Sequence, residues 1–275
     1  MSARSALQAF NSDGSERWRV TPESALLSAI ALGLDGTIYI ADSNHAVYAL
    51  SPSGELRWQF QGEGKPCSAP AIGPDGAIYF VCDDQRLCAI SQDGVEKWRS
   101  ALSSPVQFSP AVGPDGAVFC ACTDSTINVF EPNGNQRWHA KLPGEILAEP
   151  VVDSQGTVYL VCDKVLQATD AQGRARWSFK MPSPACRPPT IGSDGRVYLG
   201  AGAVMYALAP DGKLEWQLRV ADDIATSAAI SADGILYFGA MRRLYAVHCS
   251  SRGLAEPGWP TCRKDNARTG NAQIR

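Results

Sequence analysis

The chain has 275 residues, 45% of them hydrophobic and 19% charged, with a formal net charge of −3. That supply of apolar residues builds a large core and excludes both a disordered chain and a small disulfide scaffold. The weak negative charge gives no electrostatic footprint for nucleic acid, and no apolar run approaches the roughly 18 residues of a membrane-spanning helix.

The first segment, MSARSALQAF, lacks the apolar core of a secretory signal. Nine cysteines, an odd number, lie mostly inside apolar strand patterns. Both features predict a cytoplasmic protein whose thiols are free and act as small buried hydrophobes. A periplasmic or extracellular location is the alternative if the N-terminus is truncated.

The first predicted element, AFNSDGSERW (9–18), is a hairpin that ends on Trp18. It returns as ALSPSGELRW (49–58), AISQDGVEKW (89–98), VFEPNGNQRW (129–138), ATDAQGRARW (168–177) and ALAPDGKLEW (207–216), with a stretched copy from Ala246 to Trp259. The tryptophans Trp18, Trp58, Trp98, Trp138, Trp177, Trp216 and Trp259 are therefore separated by 40, 40, 40, 39, 39 and 43 residues. Between them runs a second hairpin: LGLDGTIYI (32–40), IGPDGAIYF (72–80), VGPDGAVFC (112–120), VDSQGTVYL (152–160), IGSDGRVYL (191–199) and ISADGILYF (230–238).

Asp-Gly and Asn-Gly suit tight hairpin turns, and the flanking Ile, Val, Tyr and Phe favour strands. Four short strands per 40-residue period, with no helical periodicity, predict an all-β propeller of four-stranded antiparallel blades. Pro70, Pro110, Pro150 and Pro189 place the first strand of each blade at a sheet edge facing the axis. Runs such as IYFVC are apolar on both faces, as stacking between neighbouring blades requires.

The predicted organisation is one domain over 1–275. It comprises an outer hairpin (5–20), complete blades at about 26–60, 66–100, 106–140, 146–180, 186–219 and 225–261, and a closing tail (262–275). Six complete blades and one composite or incomplete blade make about seven, the composite being the N-terminal hairpin completed by the tail and the incomplete one the result of a truncated chain. Joining the termini in this way removes exposed sheet edges.

The Trp hairpin resembles the tryptophan-docking motif of the pyrroloquinoline quinone (PQQ)-like propeller repeat family. Ala49-Leu50…Gly54…Trp58 and Ala168-Thr169-Asp170…Gly173…Trp177 carry the likeness, one residue short in the turn. Trp259-Pro260…Arg263…Asp265…Thr269-Gly270 matches a C-terminal segment of the same family. The family holds quinone-dependent dehydrogenases and non-enzymatic propellers. The dehydrogenases' adjacent Cys-Cys pair and Cys-x-x-Cys-His haem site have no counterpart here; the nearest approach is Cys120-Ala121-Cys122. The resemblance therefore implies the non-enzymatic, BamB-like branch, although the lipobox of that lipoprotein is also missing.

The remaining candidates read as scaffold. His45, His139 and His248 occupy non-equivalent repeat positions, and no nucleophile elbow accompanies them. Cys82, Cys122 and Cys162 share one repeat position with Asp42, Ala201 and Ala240, which marks a small-residue slot in preference to a metal or redox cluster. Asp35, Asp75, Asp115, Asp194 and Asp233 supply one carboxylate per turn, too few for calcium. Arg263, Lys264, Arg268 and Arg275 belong to a solvated or packed tail.

Variable loops on a rigid frame carry binding. The rim opposite the Asp-Gly turns varies between repeats, so it is the expected working face. Its candidate residues are Asp42, His45, Asp83, Asp84, Arg86, Asp124, Asp163, Lys164, Arg242 and Arg243. The sequence thus predicts a monomeric, non-catalytic scaffold without cofactor or metal, which binds a protein or peptide. A cofactor-using oxidoreductase and a binder of small ligands or carbohydrate in the axial cavity are the alternatives.

Overall fold

The computed structural model describes residues 6–21, 24–26, 29–256, 260–261 and 264–265, and among them every regular element is a strand. The chain opens with a two-stranded hairpin, β1 (Leu7–Phe10) and β2 (Glu16–Val20). Blade 1 is the antiparallel meander β3 (Ala31–Leu32), β4 (Ile38–Ala41), β5 (Ala46–Leu50) and β6 (Leu56–Gln61). Blade 2 is β7 (Ala71–Ile72), β8 (Ile78–Cys82), β9 (Arg86–Ile90) and β10 (Glu96–Ala101). Blade 3 is β11 (Ala111–Val112), β12 (Val118–Ala121), β13 (Thr126–Phe130) and β14 (Gln136–Lys141). Blade 4 is β15 (Val151–Val152), β16 (Val158–Cys162), β17 (Val165–Thr169) and β18 (Ala175–Lys180). Blade 5 is β19 (Thr190–Ile191), β20 (Val197–Ala201), β21 (Val204–Leu208) and β22 (Leu214–Arg219). Blade 6 has three strands, β23 (Ala229–Ile230), β24 (Ile235–Ala240) and β25 (Arg243–His248).

The first strand of each blade is short, and β3, β7, β11 and β15 neighbour one another in turn, which makes them the inner ring. Burial follows the layers. β8 and β16 are buried at every position, whereas the outer strands β6, β18 and β22 alternate between exposed and half-buried. A strand between two stacked sheets has no solvent face, and an outermost strand has one.

The turns differ in detail from a two-residue hairpin. Gly33 N–H donates to Thr37 O (2.8 Å) and Gly36 N–H to Gly33 O (3.0 Å), and only Gly36 of the loop has positive φ (77°). This is the longer loop in which glycine alone takes the left-handed position. The aspartate braces the loop through its side chain, as Asp35 Oδ1 accepts the N–H of Thr37 at 3.0 Å.

The tryptophans join the blades. Trp18, Trp58, Trp98, Trp138 and Trp177 donate their indole N–H to the carbonyls of Pro52, Gln92, Pro132, Ala171 and Pro210 in the following blade, at 2.7–2.9 Å. Each ring lies on the turn glycine of that blade: an added Cβ on Gly54, Gly94, Gly134, Gly173 or Gly212 would stand 2.5–2.8 Å from the indole. In Trp58, Trp98, Trp138 and Trp177 the other side of the ring meets an aromatic of its own blade, as in Tyr79–Trp98 with centroids 5.8 Å apart. One side chain therefore ties three strands across two sheets.

The ends depart from the sequence expectation. A fourth strand of blade 6 leading to Trp259 is not formed by the described residues after β25, and Trp259 itself lies outside them. That segment crosses to blade 5 instead, where Ser193 N–H donates to Gly253 O (3.0 Å), Ala255 N–H to Ile191 O (3.0 Å) and Ile191 N–H to Pro260 O (2.8 Å). The free inner edge of β19 satisfies backbone groups that a returning strand would otherwise pair. Further along, Lys264 is 1% exposed and its ammonium pairs with Glu256 at 3.0 Å, so the described part of the tail is packed. Cys262, Arg263, Arg268 and Arg275 lie outside the described residues. No sheet among the described residues joins this tail to β1–β2, and most of the predicted closing segment, 262–275, lies outside them.

This packing sets the cost of particular substitutions. Gly134→Ala should lose clearly more stability in urea unfolding than Gly14→Ala. The two glycines share the same strained φ (89° and 85°), but only Gly134 faces an indole, and Gly14 meets no described atom within 4 Å. Trp98→Ala should lose about 3–5 kcal/mol in the same assay. Two equivalent tyrosines should also part company. Tyr79 Oη is buried without a partner among the described residues, whereas Tyr159 Oη donates to Asp153 at 3.0 Å. Tyr79→Phe should be neutral or stabilising, and Tyr159→Phe should cost about 1–3 kcal/mol.

Candidate functional site

The meander sorts the loops onto two rims. On one rim, both turns of a blade touch: an added Cβ on Gly36, Gly116 or Gly195 would meet Pro52, Pro132 or Pro210 of the same blade. Here, in blades 1 to 3, the residue before the tryptophan reaches the aspartate of the first turn. Arg57–Asp35 (2.6 Å), Lys97–Asp75 (2.9 Å) and Arg137–Asp115 (2.6 Å) repeat the contact. In blade 4 Arg176 reaches Thr157 at 2.7 Å. In blade 5 the order is reversed, with Glu215 before the tryptophan and Arg196 reaching both Glu215 and Asp194 at 2.6 Å. Exposed pairs of this kind add little stability each, but they occupy the carboxylates. This rim is construction.

The other rim is built from the middle turns and the crossovers between blades. His45, Gln85, Ser125, Asp163, Gly202 and Met241 hold φ of 65°, 61°, 66°, 49°, 53° and 47° at the tips of the six middle turns. Left-handed backbone disfavours any residue but glycine, yet five tips carry side chains. Backbone bonds fix them. Leu102 N–H donates to Gln85 O (2.9 Å), Leu142 N–H to Ser125 O (2.8 Å), Asp83 N–H to Lys65 O (2.8 Å) and Asp163 N–H to Glu145 O (2.9 Å). The crossover thus braces the tip beside it.

The candidate rim residues divide on inspection. Asp42 is fully buried and does not present itself to a partner. Its carboxylate accepts the N–H groups of Asn44 (2.9 Å) and Ala46 (3.0 Å) and the hydroxyls of Tyr48 (2.7 Å) and Ser24. Burial alone would raise its pKa, but the bonds from Ser24 and Tyr48 outweigh that and hold it below the usual carboxylate value. His45 and Asp124 are half-buried, and Asp124 accepts the N–H of Thr126 at 3.0 Å. Asp83, Asp84, Arg86, Asp163, Lys164, Arg242 and Arg243 are exposed.

These exposed groups are unevenly distributed. Glu63, Asp83, Asp84, Glu145 and Asp163 give blades 2 to 4 an acidic excess, interrupted by Arg86 and Lys164. Arg242 and Arg243 instead stand beside Met241 and Leu244, which are 68% and 76% exposed. Gln85, Ser125 and Met241 lie in the variable turns without being among the candidates named from the sequence, and Leu244 lies just outside those turns. Gly202 was the available signal, because one glycine at a repeat position exposes the backbone that all six copies adopt.

A cavity of about 340 Å³ lies among four crossovers, lined by Phe108, Ala148, Glu149, Cys186, Arg187 and Thr226 among others. Arg187 is engaged through its Nε, which donates to Ala225 O at 2.7 Å. Cys82, Cys122 and Cys162 are each buried within their own blade. No group of three His, Cys, Asp or Glu residues that could hold a metal occurs among the described residues, nor is any helix there long and apolar enough to cross a membrane.

A family profile described as outer membrane protein assembly factor BamB matches residues 3–122 and 123–254. The crystal structure of BamB from Moraxella catarrhalis is similar, with a TM-score of 0.66 at 16% identity over 90% of this chain and 81% of that one, a likeness of fold. No curated protein matches the chain. The family description overturns the cytoplasmic expectation. The cysteines misled because five of the eight described are buried packing groups, and a thiol kept from solvent reports little about its compartment.

The construction rim carries a pH signature. Hydrogen bonds from Thr37 and then Arg57 hold Asp35 at about 2, against an ordinary 3.8. A depressed carboxyl stabilises the fold above the unfolded value and loses that effect as pH falls towards the folded one. Melting temperature should therefore fall between pH 3.8 and about 2, less steeply in Asp35→Asn. Identical slopes would contradict the assignment.

Proposed function

The chain belongs to the BamB family of outer membrane protein assembly factors, and from that premise we propose that it is a non-catalytic scaffold that docks a protein of the cell envelope on its variable rim. The observation that carries this reading is the contrast between the rims. Side chains of the Asp-Gly rim are used within and between blades, in indole clamps, Asx turns and ion pairs. Of the middle-turn candidates, Asp83, Asp84, Arg86, Asp163, Lys164, Arg242 and Arg243 stand exposed, with contacts to their own turn or crossover, as in Arg86–Asp84 and Lys65 N–H to Asp83, and crossovers brace the left-handed backbone of blades 1 to 5. Rigid tips hold a contact surface in place before a partner arrives, which lowers the ordering cost of binding.

The acidic arc of blades 2 to 4 and the basic, apolar tip of blade 6 supply complementary halves of one surface. Charges at an interface steer encounter and fix register, and exposed Met and Leu beside arginine supply adaptable contact area. The working residues on this reading are Asp83, Asp84, Arg86, Asp163, Lys164, Arg242 and Arg243, with Met241 and Leu244 added. Asp42 supports the fold beneath them.

The reading is tested with a photo-crosslinking amino acid placed singly at Asp83, Asp163, Met241, Ser53 and Asp93 in the native cell. The first three sites should capture the same envelope protein, and Ser53 and Asp93 on the opposite rim should not. Capture from Ser53 and Asp93 alone, or from no position, would contradict it.

A further inference from the structure

In blades 1 to 3 the base of the middle turn holds a repeated side-chain contact. The residue at or just past the end of the second strand and the residue six positions later lie diagonally across the hairpin, on one face of the sheet. In blade 1 they are Asp42 and Tyr48, joined by a 2.7 Å hydrogen bond. In blade 3 they are Cys122 and Asn128, where Nδ2 donates to Sγ at 3.2 Å. Register accounts for the contact: in blade 2, Cys82 is opposite Arg86 while Phe80 is opposite Cys88, and diagonal neighbours of this kind are within side-chain reach. Blade 2 places two thiols at these positions. Cys82 Sγ and Cys88 Sγ are 3.7 Å apart, and the residues are 2% and 4% exposed.

We propose that Cys82 and Cys88 form an oxidisable pair that closes into an internal disulfide between β8 and β9, a staple at the base of the blade 2 middle turn. A small disulfide such as oxidised glutathione is the oxidant. One cysteine loses its proton and attacks a glutathione sulfur, releasing the first glutathione as a thiolate. The second cysteine, deprotonated in turn, attacks the sulfur of the mixed disulfide and releases the second glutathione. The two cysteines lose two electrons, and the glutathione disulfide takes them to become two thiols. A disulfide needs sulfurs about 2.05 Å apart, so the two Sγ atoms must close from 3.7 Å, with the hairpin drawing together across the diagonal. The paired backbones of β8 and β9 already aim the sulfurs at each other, as the same diagonal aims oxygen and nitrogen groups in blades 1 and 3.

The shared S–H···S contact with Cys88, together with burial, raises the Cys82 thiol above its ordinary range. Thiolate is then scarce and exchange slow, so the bond suits a lasting structural link and not a fast sensor. It would enclose Asp83, Asp84 and the left-handed Gln85, stiffening the exposed tip of blade 2. The inference stands whichever partner uses that tip.

The test uses the full chain, one sample incubated folded and one refolded from denaturant, both in oxidised glutathione. Each is then unfolded, alkylated and digested with trypsin, which cuts at Arg86 between the two cysteines. Cys67 shares a tryptic peptide with Cys82, so the digest is repeated on Cys67→Ser. The two peptides should remain linked in wild type and in Cys67→Ser and separate in Cys88→Ser, and the oxidised protein should melt a few degrees above the reduced one. Alkylation of both Cys82 and Cys88 in both samples, or loss of the link in Cys67→Ser, would overturn the proposal.

Discussion

The indole clamp between consecutive blades is the contact on which the rest depends. A blade has two apolar faces and no stability of its own, so the fold exists only where blades stack. The stack is registered by one repeated arrangement. A tryptophan at the end of an outer strand lies flat on the left-handed glycine of the next blade and gives its N–H to a carbonyl in the same turn. The glycine has two reasons to be glycine: positive φ, and a ring where a Cβ would stand. Because Trp58, Trp98, Trp138 and Trp177 also touch an aromatic of their own blade, a local fault there reaches two sheets.

The clamp explains why the two rims serve different purposes. Where it sits, turn geometry, ion pairs and indole bonds restrict sequence choice. At the middle turns no indole clamp recurs and side-chain contacts vary from blade to blade, while the backbone conformation is held constant. Every tip keeps a left-handed residue, tied to a crossover in blades 1 to 5, and its identity runs from histidine to methionine. A surface that is rigid in backbone and free in side chain is what a binding face on a repeat scaffold requires.

Much of the fold was legible in the sequence, because the clamp leaves a mark on every period. The tryptophans, the turn glycines and the doubly apolar runs set the strand count and the order of strands in each blade. The ends were less legible. The copy from Ala246 is stretched, and after His248 the chain finds open backbone on β19 and crosses to it, a tertiary competition that no local pattern records. The rim residues were legible by position and not by role. Asp42 stands where the next repeat has Cys82, one position before the equivalent of Asp83; Tyr48 and Ser24 hold Asp42 inward while Asp83 remains exposed. Cys82 and Cys88 looked like separate packing groups because diagonal contact depends on register, which spacing alone does not give.

The division of labour between the rims is tested most directly by measuring stability and partner affinity on the same set of charge-reversal variants. Asp35→Lys, Asp75→Lys and Asp115→Lys on one rim should lower the melting temperature and leave affinity for the crosslinked partner unchanged. Asp83→Lys, Asp163→Lys and Arg242→Glu on the other should weaken that affinity and leave the melting temperature unchanged. If affinity follows the first set, or both sets move both quantities together, the working face is not the rim of the middle turns.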